Sequence, residues 1–355
     1  MRLPIFAFLA FSVACIGQET SKQQSILIED YTWYQARQLL SDTTIVVIPL
    51  GAAAKEHGPH LLLKNDFLIA EYLKNRIAAV ESTVIYPTIN YNYYPAFLEY
   101  AGSTSLQLET AANLITDICR VISKHGPRKF YILNSGVSTL YPLKMASEEL
   151  AHSGIILMYT DILNIVKDAE EKIRQQSEGT HADEMETSMM LYMTPESVNM
   201  AKAAKDIPAQ KKPGPLTPYP TGVGNYSPTG IYGDATLATK EKGAILVEAM
   251  VAGIRAEIAQ LKKTKVPAIP KPDLTKFTGS FVSANDETAI LKIKDDVLTL
   301  TQAGRPDRTL QFLKPGTFAV GTIGRIVFFP DSKGEFRSAV LNLSGREYLL
   351  SKKPE

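Results

Sequence analysis

Residues 46–67, VVIPLGAAAKEHGPHLLLKNDF, decide how this 355-residue chain folds. The uncharged, β-branched opening run reads as a strand buried on both faces. It leads straight into a loop carrying Lys55, Glu56, His57, His60 and Asp66. Open α/β sheets build sites in this way, because a rigid strand aims a loop that holds the reactive side chains.

Outward from this stretch, strands and helices alternate between residues 45 and 263. TTIVVIPL, STVIYP, KFYILN and GIILMYT read as strands, and residues 66–79, 106–124, 139–152 and 238–263 as helices. That alternation predicts a largely parallel sheet covered by helices on both faces, with the connecting loops gathered at one edge. Residues 205–233, rich in Pro, Gly and Tyr, read as an irregular arm. TKVPAIPKPDL, residues 264–274, is a proline-stiffened linker. Beyond it KFTGSFV, TAILKIK, VLTLTQ, TFAV, RIVFFPD, FRSAVLNL and REYLLSK are short strand patterns separated by turn signals, which predict a small all-β barrel or sandwich over residues 275–353.

The first stretch resembles the opening signature of the creatininase family, roughly P-x-G-[ST]-x-E-x-H-G-x-H-L-P-x-x-x-D. The resemblance continues through NSGVSTLYPL (134–143), THADEMETSMM (180–190) and SPTGIYGDATLATKEKG (227–243), and so covers about residues 27–260. It implies a three-layer α/β sandwich with a mainly parallel sheet, often oligomeric, that hydrolyses C–N bonds of small molecules at a paired divalent-metal centre. The β region is weakly similar, through Phe277, Gly279 and Phe281, to domains appended to secreted bacterial hydrolases.

By that resemblance the family's metal-ligand positions fall on Lys55, His57, Asp66, Gly136 and Ser138. Only His57 and Asp66 are side chains of the expected kind. A lysine adds positive charge where two dications need anionic ligands to offset their repulsion. With Glu56 turned inward, His57, Asp66 and Glu56 would instead hold one zinc, manganese or iron ion; the other expectation is no metal at all. In the third motif, His181 is implied as the acid or base at the leaving nitrogen, with Glu186 orienting it or touching a metal. The plainer reading is that His181 and Asp183 cap the helix that follows. Ser138 and Thr139 read first as helix caps; Ser138 beside Lys55 also admits a Ser–Lys hydrolase. Tyr91, Tyr93, Tyr94, Phe97 and Tyr100 follow a strand, and we expect Tyr93, Tyr94, Phe97 and Thr139 to contact substrate, with His60 facing the same pocket. The alternative for the aromatic run is an oligomer interface or a lid.

Residues 1–17 have one Arg, an apolar run and then small residues, the plan of a signal peptide cleaved after Gly17, or of a lipid anchor at Cys15. Export to the periplasm or medium is therefore expected. Either route leaves Cys119 alone in the body of the chain, with no intrachain disulfide. The formal net charge is +1 with acids and bases dispersed, which gives no footprint for nucleic acid. The expected function is an exported amidohydrolase acting on a small cyclic amide. The alternative is a protein that kept the scaffold and lost catalysis, serving as a binding or oligomeric structural protein.

Overall fold

A computed structural model describes residues 25–208, 212, 214–268, 272–321, 324–343 and 345–354. Residues 1–17, expected to be a leader, and with them Cys15, lie outside the described residues, as does part of the proline linker. The first half of the chain builds one parallel sheet. Its strands are β1 (Ile26–Leu27), β2 (Ile45–Leu50), β3 (Val84–Ile85), β4 (Lys129–Asn134) and β5 (Ile156–Tyr159), arranged in the order β1-β3-β2-β4-β5. The helices are α1 (Trp33–Leu39), α2 (Asn65–Ala78), α3 (Leu108–Ser123), α4 (Leu140–Ala151), α5 (Ile162–Ile165), α6 (Lys167–Ile173), α7 (Glu184–Met193) and α8 (Lys240–Lys263).

Strand β2 shows why the sheet is covered twice. Successive side chains of a strand point to opposite faces. Ile45 and Val47 pack with Ile69, Leu73 and Ile77 of α2 and with Leu246, Met250 and Ile254 of α8. Val46, Ile48 and Leu50 pack the other way, with Ile115 and Cys119 of α3 and Leu143 and Leu150 of α4. Each such side chain, fully buried, contributes about 1.5–3 kcal/mol. The unbroken apolar run of β2 follows from these two cores.

Strand β2 pairs with β3 on one side and with β4 on the other, from Ile45↔Lys129 to Leu50↔Asn134. The strand order therefore switches at the carboxyl end of β2, where doubly wound sheets leave a crevice. The loops starting at Gly51 and Ser135 leave this edge together, and the Ser135 hydroxyl donates to the carbonyls of Leu50 and Asp66. Gly51 is required here, because a Cβ on it would run into the carbonyl of Asp66. The first turn of α2 thus seats directly against the end of β2.

The arm after α7 is mostly irregular, with two small pairs, β6 (Lys205–Asp206) with β9 (Gly233–Asp234) and β7 (Leu216–Thr217) with β8 (Asn225–Tyr226). The C-terminal region is a closed antiparallel barrel of β10 (Gly279–Ser283), β11 (Thr288–Lys294), β12 (Val297–Gln302), β13 (Arg308–Lys314), β14 (Thr317–Val320), β15 (Gly324–Pro330), β16 (Phe336–Leu343) and β17 (Arg346–Lys352). β10 pairs with β17 to close it. Phe277, Phe281, Phe318 and Phe328 fill its interior. Gly279 sits between the first two at φ 138°, a left-handed conformation that favours glycine. Of the two architectures open from the sequence, barrel and sandwich, the closed barrel is the one formed. It contains β13, which is missing from the strand patterns read above.

Candidate functional site

The loop after β2 is pinned along its length. The Lys55 N–H donates to the Leu63 carbonyl, the Glu56 N–H to Ser103 Oγ, and the Thr104 N–H to the Ala54 carbonyl. Lys55, Glu56 and His57 are thereby buried in sequence order, at 6%, 6% and 1% exposure. Asp66 meets them from the first turn of α2, where the helix dipole favours a carboxylate. Lys55 Nζ lies 2.7 Å from Asp66 Oδ2, and His57 Nε2 lies 2.8 Å from Asp66 Oδ1. Burial alone would raise the Asp66 carboxyl, but Lys55 and His57 outweigh it and hold the group well below the usual carboxylate range.

Helix α7 supplies the opposite wall. Asp183 caps it, accepting from the N–H groups of Met185 and Glu186 and from Gln176 Nε2. Burial pushes the Asp183 carboxyl up to about 6 against those hydrogen bonds. His181 is not a cap. Its Nε2 lies 2.9 Å from Glu56 Oε2, its Nδ1 lies 3.9 Å from Glu186 Oε2, and its ring packs on Phe97 at a centroid distance of 4.1 Å. Burial works to raise the Glu56 carboxyl; the His181 hydrogen bond and charge, with the Gly58 N–H, bring it below its ordinary value. Glu186 accepts from Asn65 Nδ2 and from the Ala182 N–H, each at 2.8 Å, and its Oε1 lies 3.4 Å from His57 Nε2.

These groups face a cavity of about 300 Å³ lined by Lys55, Asp66, His181 and Glu186, with Phe97, Gly136 and Ser138 around them. Every lining residue lies between Lys55 and Met189, so the barrel contributes none. Its apolar wall includes Ile162, Leu163 and Val166 of the α5–α6 segment, which the sequence reading leaves without an element. An amphipathic pattern too short to show a helical period hides that wall.

Several expectations are placed differently by the fold. The Ser138 hydroxyl donates to the Tyr93 carbonyl at 2.9 Å while Lys55 is engaged with Asp66, so the Ser–Lys pair is not formed. Thr139 precedes α4 without capping it; its hydroxyl donates to Asn134 Oδ1 and the Gly136 carbonyl in the core. Tyr93, Tyr94 and Thr139 do not line the cavity, whereas Phe97 does. Tyr94 is buried beneath Lys55, whose Nζ is 5.9 Å from the ring centroid. His60 also turns away from the cavity, to Thr187 Oγ1 at 2.8 Å.

The paired-metal centre implied by the family resemblance does not fit these residues. Gly136 and Ser138 stand where two ligands should, and Lys55 places an ammonium on the Asp66 carboxylate. A three-ligand set is present instead: among the described residues His57, His181 and Glu186 each offer an atom within 4.8 Å of the others. Glu56, expected as a ligand, points at His181 and at the Gly58 N–H.

The family pattern described as creatinine amidohydrolase matches residues 29–258. Over 260 residues the chain is 26% identical to creatinine amidohydrolase of Pseudomonas putida, covering 67% of this chain and 97% of that one. It is 26% identical over 237 residues to the mycofactocin precursor peptide peptidase of Mycolicibacterium smegmatis, covering 61% and 85%. The solved structure described as Creatininase Mn superposes with a TM-score of 0.55 at 22% identity, covering 68% of this chain and 100% of that one. Because the matched pattern includes four of the five sheet strands and every residue lining the cavity, the chain belongs to the creatininase family.

Proposed function

We propose that the protein is an exported amidohydrolase that hydrolyses a C–N bond of a small cyclic amide, lactam or related compound. The observation that carries this reading is the convergence of Lys55, Asp66, His181 and Glu186 on one apolar-walled cavity of about 300 Å³ in a creatininase-family chain. That volume suits a small ligand. Lys55, fixed by Asp66 and lining the cavity, is placed to donate to a carbonyl oxygen as it gains charge. Phe97, against His181, provides a flat wall. A single divalent ion is the cofactor we assign, with His57 as the ligand retained from the family pattern; when bound it supplies carbonyl polarisation and an activated water. Export rests on the apolar leader and its small residues. Association into a homo-oligomer is supported by α1, which buries none of its residues and leaves Trp33 76% and Tyr34 62% exposed.

The test is incubation of the purified protein with creatinine, hydantoins, lactams and cyclic ureides, following gain of one water by mass spectrometry. Ring opening of at least one compound is expected. No turnover, with calorimetric binding of the same compounds intact, would support the second reading, a binding protein on the same scaffold. The Lys55–Asp66 ion pair favours that second reading, since it neutralises a carboxylate at one of the family's ligand positions.

A further inference from the structure

We infer that the cleft is a transposed metal centre: one divalent transition-metal ion held by His57 Nε2, His181 Nδ1 and Glu186, with the Lys55 ammonium supplying the second positive charge, beside Asp66. The inference deepens the hydrolase reading and rests on the same cavity, but its test reads binding and not turnover.

His57 Nδ1 lies 2.8 Å from the backbone carbonyl of Lys55, which can only accept, so Nδ1 carries a hydrogen and Nε2 is the nitrogen that takes either a proton or a metal ion. That nitrogen faces Asp66 Oδ1 at 2.8 Å and Glu186 Oε1 at 3.4 Å, so a proton or a metal ion must sit between it and the two carboxylates. On the far side, His181 donates Nε2–H to Glu56 Oε2, which leaves Nδ1, 3.9 Å from Glu186 Oε2, as the second nitrogen open to a proton or an ion. Without a metal the two contacts need a proton on each imidazole, two positive charges side by side. One metal ion among His57, His181 and Glu186 meets both contacts in their place.

The spacing agrees. Ligand atoms about 2.0–2.1 Å from a tetrahedral ion stand roughly 3.4 Å apart; His57 Nε2 lies 3.4 Å from Glu186 Oε1 and His181 Nδ1 3.9 Å from Glu186 Oε2, and one atom from each residue falls within 4.8 Å of the others, so a small inward shift closes the set. Each side chain is also held from behind, as ligands usually are. The Lys55 carbonyl orients His57, the Glu56 carboxylate orients His181, and Asn65 with the Ala182 N–H orients Glu186. Ala182 sits at φ 49°, a conformation unfavourable for alanine, in the turn that presents both His181 and that N–H. Two imidazoles and a carboxylate with positions left open suit Zn²⁺, Co²⁺ or Fe²⁺ and not the oxygen-seeking Ca²⁺ or Mg²⁺. Charge agrees. With both imidazoles neutral, as metal ligands are, Asp66, Glu56 and Glu186 set three carboxylates against the one ammonium of Lys55, a deficit of two that one dication fills.

The experiment is equilibrium dialysis of chelator-stripped full-length protein against Zn²⁺, with Co²⁺ absorption as a second readout. The wild type is compared with His57→Ala, His181→Ala, Glu186→Gln and Lys55→Glu, and with exposed His125→Ala as control. One equivalent is expected for wild type and control. Each ligand variant should bind at least about a hundred-fold more weakly and lose the Co²⁺ visible band. Lys55→Glu should bind more tightly or take a second equivalent. If an alanine variant unfolds by circular dichroism, His57→Gln or His181→Asn replaces it. Two equivalents or none in the wild type, or wild-type affinity in His181→Ala and Glu186→Gln together, would overturn the assignment. One equivalent lost in all three ligand variants, with no ring opened, would keep the metal centre and remove the hydrolase reading alone.

Discussion

Lys55 Nζ and Asp66 Oδ2 form an ion pair of 2.7 Å at the floor of the cavity, with both residues almost wholly buried. Two buried charges hold each other only while both are present; removing one leaves the other without compensation, at a cost of about 3–5 kcal/mol. Lys55→Met should therefore lower the unfolding free energy of metal-free protein by about that amount at neutral pH, measured by urea denaturation in chelator. Zn²⁺ should restore part of the loss. A change below about 1 kcal/mol, the scale of an exposed pair, would mean that water reaches Asp66.

Ser138 lines the same cavity, yet its hydroxyl is engaged with the Tyr93 carbonyl. A nucleophilic serine would lose nearly all activity as alanine, whereas one hydrogen bond is worth about 1 kcal/mol. On whichever amide the protein opens, Ser138→Ala should keep kcat/KM within about tenfold of wild type. An acyl-enzyme mass adduct on Ser138 would restore the Ser–Lys mechanism.

The elements legible in the sequence are those long enough to show a period. β2 and β4 and helices α2, α3, α4 and α8 fall within about two residues of their expected ends, because their apolar positions repeat over several turns or fill a whole strand. β13, RTLQFLK, is hidden by the polar Arg308, Gln311 and Lys314, which break up the apolar pattern around Leu310, a residue that fills the barrel interior. At the site, His57, Asp66, His181 and Glu186 are legible as a set because one loop and one helix turn fix their spacing. Which carboxylate meets which imidazole is not. Glu56 reaches His181 across 125 residues of sequence, and neither Tyr93 nor Tyr94 lines the cavity, Tyr94 being buried beneath Lys55.

His60 gives a pH prediction of defined sign. Burial, opposed by Glu186 and Glu56, lowers its pKa to about 4, below the 6.5 of an exposed histidine. The folded state therefore resists a proton that the unfolded chain accepts. His60 favours the fold fully above pH 6.5, and that contribution is lost as pH falls toward 4. In His60→Asn, which can still bond Thr187, the slope of unfolding free energy between pH 4 and 6.5 should be shallower than in wild type. Equal slopes would place the titration elsewhere. Asp183, pushed up to about 6, contributes with the opposite sign and is common to both proteins.

The barrel should be dispensable for folding of the α/β region. It closes on itself through β10 and β17 and fills its interior with its own phenylalanines, so it needs no other surface to complete a core. The two regions are joined by polar contacts, Ser153 Oγ to the Leu313 carbonyl at 2.6 Å and Lys314 Nζ to Glu149 at 3.0 Å, the second between partly exposed groups. Interactions of that kind contribute about 1 kcal/mol each, small beside the two apolar layers of the sheet. A fragment of residues 18–265, which retains α8 to its end and every residue of the cavity, should be soluble and unfold cooperatively. It should also bind Zn²⁺ with the stoichiometry of the full chain. A fragment that binds a hydrophobic dye and melts without a transition would show that the barrel shields apolar surface of α3 or α4, and that the two regions fold as one.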